Sequence, residues 1–160
     1  DHFKLQFAGN YGVLAAGLGY LFCHDIIQTD LFYGFIPKFV GGTNINIIAQ
    51  KNTFQLYKKQ LPKNHLITFS AGFSVIYTIT NNTFLFLPEQ FPTNYYSSNA
   101  IRLAPNISFN LLNLINNFGV YFEIGTLDNY LWYYINSNYI DFKDILNLAF
   151  GLKIPLRNTD

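Results

Sequence analysis

The residues from Leu66 to Thr80, LITFSAGFSVIYTIT, constrain the fold more than any other stretch of the chain. Ile67, Phe69, Ala71, Phe73, Val75, Tyr77 and Ile79 share one parity. Thr68, Ser70, Gly72, Ser74, Thr78 and Thr80 share the other, and Ile76 is the exception. Alternation with period two over about 14 residues predicts a β-strand with two chemically different faces. Such a strand is more than twice the usual length of about 5–6 residues. Its apolar face is continuous and aromatic. Its polar face carries hydroxyls and glycine where a soluble sheet would show Lys, Glu and Arg to water. That combination predicts a strand with lipid outside and a crowded, narrow bore inside.

Composition supports the same reading. Charged residues make up 12% of the 160 residues, about half the usual share of roughly 25%. Aromatics reach 19%, with 12 Tyr and 17 Phe, yet the mean hydropathy is only +0.14. The longest stretch free of strongly polar residues, near Tyr11–Cys23, is shorter than the roughly 20 residues a spanning helix needs. A barrel in lipid reconciles these facts, because every second residue faces inward. A net charge of +1 gives no electrostatic case for nucleic acid. The lone Cys23 excludes an internal disulfide and is expected to be a small buried thiol. The opening residues show no secretory leader, so Asp1 reads as a processed terminus or a cut end.

Eight strands are expected along the chain. Phe3, Leu5 and Phe7 are apolar at odd positions, whereas Leu14, Ala16, Leu18, Tyr20 and Phe22 are apolar at even ones. A hairpin with Asn10-Tyr11 as a two-residue loop reconciles the parities by pairing Phe7 with Leu14. Cys23–Ile26 is a turn, strand three turns Leu31, Tyr33 and Phe35 outward, and Pro37–Thr43 is a loop. Strand four runs from about Asn44 to Lys59, and a bulge between Asn52 and Phe54 explains its slip in phase. Gln60–Asn64 is a short turn, and strand five is the opening stretch. Strands six, seven and eight are expected at about Ala100–Leu112, Phe118–Thr126 and Asp144–Leu156. Connections after strands two, four and six are short. Asn81–Asn99 and Leu127–Asp141 are long. The fold class is therefore all-β: an eight-stranded antiparallel up-and-down transmembrane β-barrel in one domain, whose long loops face outside the cell. Tyr20, Phe22, Tyr57, Phe69 and Phe118 fall toward the short-turn end, and Tyr33, Phe35 and Tyr77 toward the long-loop end, as interfacial girdles would.

The segments FYGFIPKFVGG, LAPNISFN, YFEIGTLDNYL and DILNLAFGLKI resemble eight-stranded outer-membrane barrels of Bacteroidota-type bacteria. The layout is similar to the OmpX and OmpA-transmembrane class. The resemblance implies surface exposure and insertion by the barrel-assembly machinery, which reads a last strand of the form Gly-x-x-apolar-x-aromatic. Gly151 and Ile154 fit that form, Leu156 stands where the aromatic would be, and Arg157 to Asp160 follow. No catalytic residue is implied.

Charges expected inside the bore are Lys4, Asp30, Arg102, Glu123 and Lys153. An unpaired charge there is costly, so they are expected to form one network with Gln6, Gln28, Gln50, Asn52, Asn106, Asn110 and Asn147. His2, His24 and His65 all map to the short-turn end, away from the outer rim where a lipid-modifying site would need one. No metal-ligand spacing, phosphate loop or nucleophile elbow appears, and no cofactor is expected. The loops carry the better candidates. Phe84, Leu85, Phe86, Leu87, Phe91, Tyr95 and Tyr96 in one, and Tyr130, Trp132, Tyr133 and Tyr134 in the other, are too apolar for free solvated loops. The expected function is a non-enzymatic outer-membrane protein, structural or an accessory subunit, whose partners are outer-membrane lipid, lipopolysaccharide and other outer-membrane proteins. A lipid-modifying barrel enzyme and a soluble lipocalin-like carrier are the alternatives.

Overall fold

Alternating faces can bury their polar side only if the sheet closes on itself, and it does. The computed structural model describes residues 1–80, 83, 100–137 and 139–156. The strands are β1 (His2–Ala8), β2 (Leu14–Phe22), β3 (Ile27–Ile36), β4 (Ile45–Leu61), β5 (His65–Ile79), β6 (Ile101–Asn113), β7 (Phe118–Gly125) and β8 (Asn147–Pro155). Each pairs antiparallel with the next in sequence, and β1 closes on β8 with Phe3 opposite Ile154 and Leu5 opposite Leu152. The result is an all-β, eight-stranded up-and-down barrel in which every strand has two partners. Among the described residues no helix is long and apolar enough to cross a membrane, which says nothing of strands.

The two faces separate as the alternation requires. In β5, Thr68, Ser70 and Ser74 are buried inside, while Phe69, Phe73 and Val75 are exposed outside. Ile76, the exception to the pattern, joins an interior apolar cluster with Tyr11, Ala15, Phe32, Ile47, Ala49 and Ala104. Inward glycines make room for large neighbours. A Cβ on Gly17 would sit 2.6 Å from the Phe32 ring, and one on Gly151 would sit 2.6 Å from the Tyr121 ring.

The cylinder is lopsided. β4 has 17 residues and β5 has 15, against 7 in β1 and 8 in β7. Pairing of β6 with β7 begins only at Asn106 opposite Gly125, so Ile101–Pro105 rise above β7. Pro105 sits where that pairing ends, and its carbonyl accepts from Thr126 N at 3.2 Å. A proline is tolerated there because no ladder donor is needed on that side.

Five local expectations are corrected. The first hairpin keeps the register Phe7 opposite Leu14, but its loop is a 3-10 turn over Gly9–Tyr11 and not a two-residue turn. The longer loop lets Tyr11 turn inward, where it is buried against Phe32 with ring centroids 4.9 Å apart. In β4 the irregularity falls between Gln55 and Tyr57, not between Asn52 and Phe54. Gln50 and Asn52 therefore face outward and Lys51 faces inward. The reverse arrangement would strand an ammonium on the apolar face and leave Glu123 without its partner. Cys23 is exposed, not buried, in a turn where Cys23, His24 and Asp25 all have positive φ (52°, 56° and 65°). The connection after β7 folds into α2 (Asp128–Asn136), with Asp128 in its first turn. Placed at the amino end, that carboxylate favours the helix dipole. Finally, a 3-10 turn over Phe142–Ile145 delays β8 until Asn147.

Candidate functional site

The bore is stratified. Toward the long-loop end the apolar cluster fills it, and the Tyr11 hydroxyl hydrogen-bonds the Ser74 hydroxyl across the interior. Asn106 Nδ2 donates to the same Ser74 oxygen at 3.3 Å. Over the mouth at this end, Asn147 Nδ2 donates to Asn10 Oδ1 at 2.7 Å.

Below that plug lies the charged layer. Lys51 pairs with Glu123, both buried. Asp30, almost fully buried, accepts three hydrogen bonds: from His2 Nε2 at 2.6 Å, from Lys4 Nζ at 2.8 Å and from Gln28 Nε2 at 2.7 Å. Lys153 Nζ donates to Gln28 Oε1 at 2.7 Å. The Tyr121 hydroxyl donates to Gln6 Oε1 at 3.1 Å, and both Lys4 Nζ (5.2 Å) and Lys51 Nζ (5.9 Å) lie over its ring. The ring's negative face attracts both ammonium groups. This layer spans β1, β3, β4, β7 and β8, so its bonds tie opposite walls of the cylinder.

Of the five charges expected inside, the fold brings Lys4, Asp30, Glu123 and Lys153 into this layer. Arg102 points inward but sits above Ala104 on the other side of the apolar plug, and it makes no ion pair among the described residues. Its distance from the layer follows from β6 continuing upward past β7. Gln6 and Gln28 join the layer, whereas Gln50 and Asn52 do not. Outside, Asn52 Oδ1 accepts from Thr29 at 2.9 Å, and the Gln50 side chain has no hydrogen-bond partner among the described residues.

Lys51 and His2 also belong to the layer, beyond the charges expected there. Parity carried the signal for both. His2 shares the even register of Lys4 and Gln6, and Lys51 shares the odd register of Ile47, Ala49 and Thr53. Two uncharged amides beside Lys51 masked the pattern.

At the long-loop end, α2 packs against β6 beside the stretch that outruns β7. Trp132, Tyr133, Tyr134 and Tyr130 are all exposed on this helix. Trp132 and Tyr133 meet edge to face at 5.4 Å, and Tyr134 meets Phe142 at 5.8 Å. The aromatics are thus held at fixed helical positions and only partly shielded by each other. Phe84, Leu85, Phe86, Leu87, Phe91, Tyr95 and Tyr96 lie outside the described residues.

At the opposite end the interior opens. A cavity of about 640 Å³ begins beneath the charged layer and is lined by Thr53, Thr68, Ser70, Ser108 and Asn110, among others. His2, His24 and His65 lie at this end. Among the described residues no group of three or more His, Cys, Asp or Glu is placed to hold a metal ion. Comparison with protein-family models, with curated proteins and with solved structures finds no match for this chain.

Proposed function

We propose that this barrel resides in a bacterial outer membrane as a non-enzymatic structural or accessory subunit, docking to other outer-membrane proteins through its long-loop rim. The observation that carries the membrane reading is the inversion of the barrel. Leu18, Leu31 and Phe150 are 59–61% exposed outside, while Lys4, Lys51, Asp30 and Glu123 are buried inside. A soluble carrier needs the opposite distribution, with charges of both signs on its surface. An outer band of Leu, Ile, Val and Phe matches hydrocarbon, and Tyr20, Phe22 and Tyr57 at one end with Tyr33 at the other match the two interfaces.

The accessory role rests on α2. Trp132, Tyr133 and Ile135 project from a short helix anchored to β6. Aromatics preset on a rigid element suit a protein contact better than a free loop does, since little side-chain entropy is lost on docking. The distance of His2, His24 and His65 from this rim favours the docking role over lipid-modifying chemistry there.

Two measurements test the reading. Fractionation should find the protein in the outer membrane; recovery in the soluble fraction refutes the location. Trp132→Asp combined with Phe86→Asp should abolish co-purification of partner proteins in mild detergent while the barrel still folds. Unchanged co-purification refutes the docking surface.

A further inference from the structure

The bore is filled on one side of the charged layer and left open on the other. Above the layer, Tyr11, Phe32 and Ile76 pack the interior, as the width of an eight-stranded barrel allows. Below it, the inward positions of β4, β5 and β6 carry small or uncharged polar side chains, and a cavity of about 640 Å³ remains. The register lays these side chains out in rows. Gln55 stands opposite Ser70, and Ser70 opposite Ser108. One row nearer the mouth, Thr68 stands opposite Asn110. The last row is apolar: Leu66 stands opposite Leu112, and both line the cavity together with Leu21 and Leu114.

Two features set this wall apart from the rest of the bore. Its polar atoms are unused. Above the layer the Ser74 hydroxyl has both Tyr11 and Asn106 as partners. Below it, the side chains of Gln55, Thr68, Ser70, Ser108 and Asn110 make no hydrogen bond among the described residues. Thr68, Ser70 and Ser108 are buried residues, yet their hydroxyl oxygens are not sealed off and open on the cavity. Buried polar groups normally find partners, so a row of unused ones around a void is a set of hydrogen-bonding positions held ready. The second feature is the leucine collar. Leu21, Leu66, Leu112 and Leu114 meet at the mouth, where water alone would leave their apolar surface unmatched.

We propose that this cavity binds a neutral saccharide of about disaccharide size, hydrogen-bonded by Gln55, Thr68, Ser70, Ser108 and Asn110 and gripped at the mouth by the leucine collar. The volume falls within the roughly 300–1,000 Å³ of small-molecule sites. Hydroxyls and side-chain amides each donate and accept. Sugar hydroxyls do both as well, so the two sets satisfy each other in either direction. The wall itself holds no carboxylate to select a cation and no ammonium to select an anion. Charges at the cavity's edge are already engaged: Lys4 with Asp30 at 2.8 Å, Lys58 with Asp25 at 3.1 Å, and Lys153 with Gln28 at 2.7 Å. The C–H face of a pyranose ring is apolar and packs on leucine side chains, which water cannot do. The site lies inside the cylinder and is independent of what the outer face touches.

The test uses the refolded barrel in a zwitterionic, sugar-free detergent, with maltose and N,N′-diacetylchitobiose as probes, read by leucine-methyl NMR. At least one sugar should shift the Leu66 and Leu112 methyl signals saturably. Thr68→Val removes one hydroxyl at nearly constant volume and should weaken binding about threefold, as for loss of one neutral hydrogen bond. Ser108→Leu fills the cavity and should abolish binding; Ser70→Leu serves the same purpose should Ser108→Leu fail to fold. Lys143→Met, which alters only an exposed pair at the far end, should leave binding unchanged. Absence of saturable shifts with both sugars up to about 100 mM, far above the range of a millimolar site, means that the cavity holds water only and overturns the proposal. Equal binding by wild type and the cavity variants overturns it as well. Inorganic phosphate and 1-octanol are titrated in parallel, and saturable shifts with either of these but with neither sugar overturn the assignment of ligand class.

Discussion

Asp30→Asn tests the charged layer at its most connected atom pair. The wild-type carboxylate takes three donors at 2.6–2.8 Å, and one of them, Lys4, is itself 3% exposed. Asparagine keeps the volume but has one acceptor oxygen, and its amide hydrogens face at least one former donor. Lys4 then loses its carboxylate partner and keeps the Tyr121 ring at 5.2 Å. Breaking a buried pair by removing one partner costs about 3–5 kcal/mol, and that is the expected loss. The assay is urea unfolding of the barrel in lipid vesicles, followed by far-UV circular dichroism and by the gel-mobility shift of folded barrels. An internal comparison comes from Asp141→Asn, which breaks an exposed pair with Lys143 at 3.1 Å and should cost under about 1 kcal/mol. The double variant Lys4→Met, Asp30→Leu should recover only the part of the loss owed to the stranded ammonium, because His2 and Gln28 still lose their acceptor. If Asp30→Asn lies within about 1 kcal/mol of wild type, the layer is not the interior counterion system described above, and the reasoning fails.

Gln50 offers a test of what the outer face contacts. It points outward from β4 with no hydrogen-bond partner among the described residues, flanked across the strands by Leu31 and Val75. In hydrocarbon an unbonded amide costs about 1–3 kcal/mol, so Gln50→Leu should stabilise the barrel in vesicles by about 1–2 kcal/mol; destabilisation there would argue that this face meets water or a polar partner. Cys23, exposed in the β2–β3 turn, tests orientation. With the long loops outside the cell, a membrane-impermeant maleimide should label Cys23 only after the outer membrane is permeabilised, and labelling of intact cells at the same rate refutes that orientation.

Strand count, antiparallel order and the faces of β5, β6 and β7 were legible in the chain itself, because alternation with period two is a local property. Ile67 to Ile79 must share a side whatever else the protein does. The inward positions of Tyr121 and Glu123 follow from the same rule once Phe118, Val120, Phe122 and Ile124 are assigned outward. β4 was harder. Its outward row mixes Ile48 and Phe54 with Gln50 and Asn52, and local pattern cannot tell an amide that faces outward from one that lines a bore. The choice depends on Lys51 reaching Glu123 across the interior, 72 residues away.

The alternating rows of Phe, Leu, Ser and Thr, written in the sequence, determined that this chain forms strands of two-faced chemistry and that eight of them close. Only the tertiary structure decided which charges meet. Pairing of Asp30 with His2 and Lys4, the position of Arg102 above an apolar plug, and the contact of Lys153 with Gln28 all depend on the stagger between strands, which side-chain parity does not encode. Stagger is a property of closure. Bringing β1 against β8 places Lys4 opposite Lys153, and no stretch of sequence shorter than the whole cylinder contains that fact.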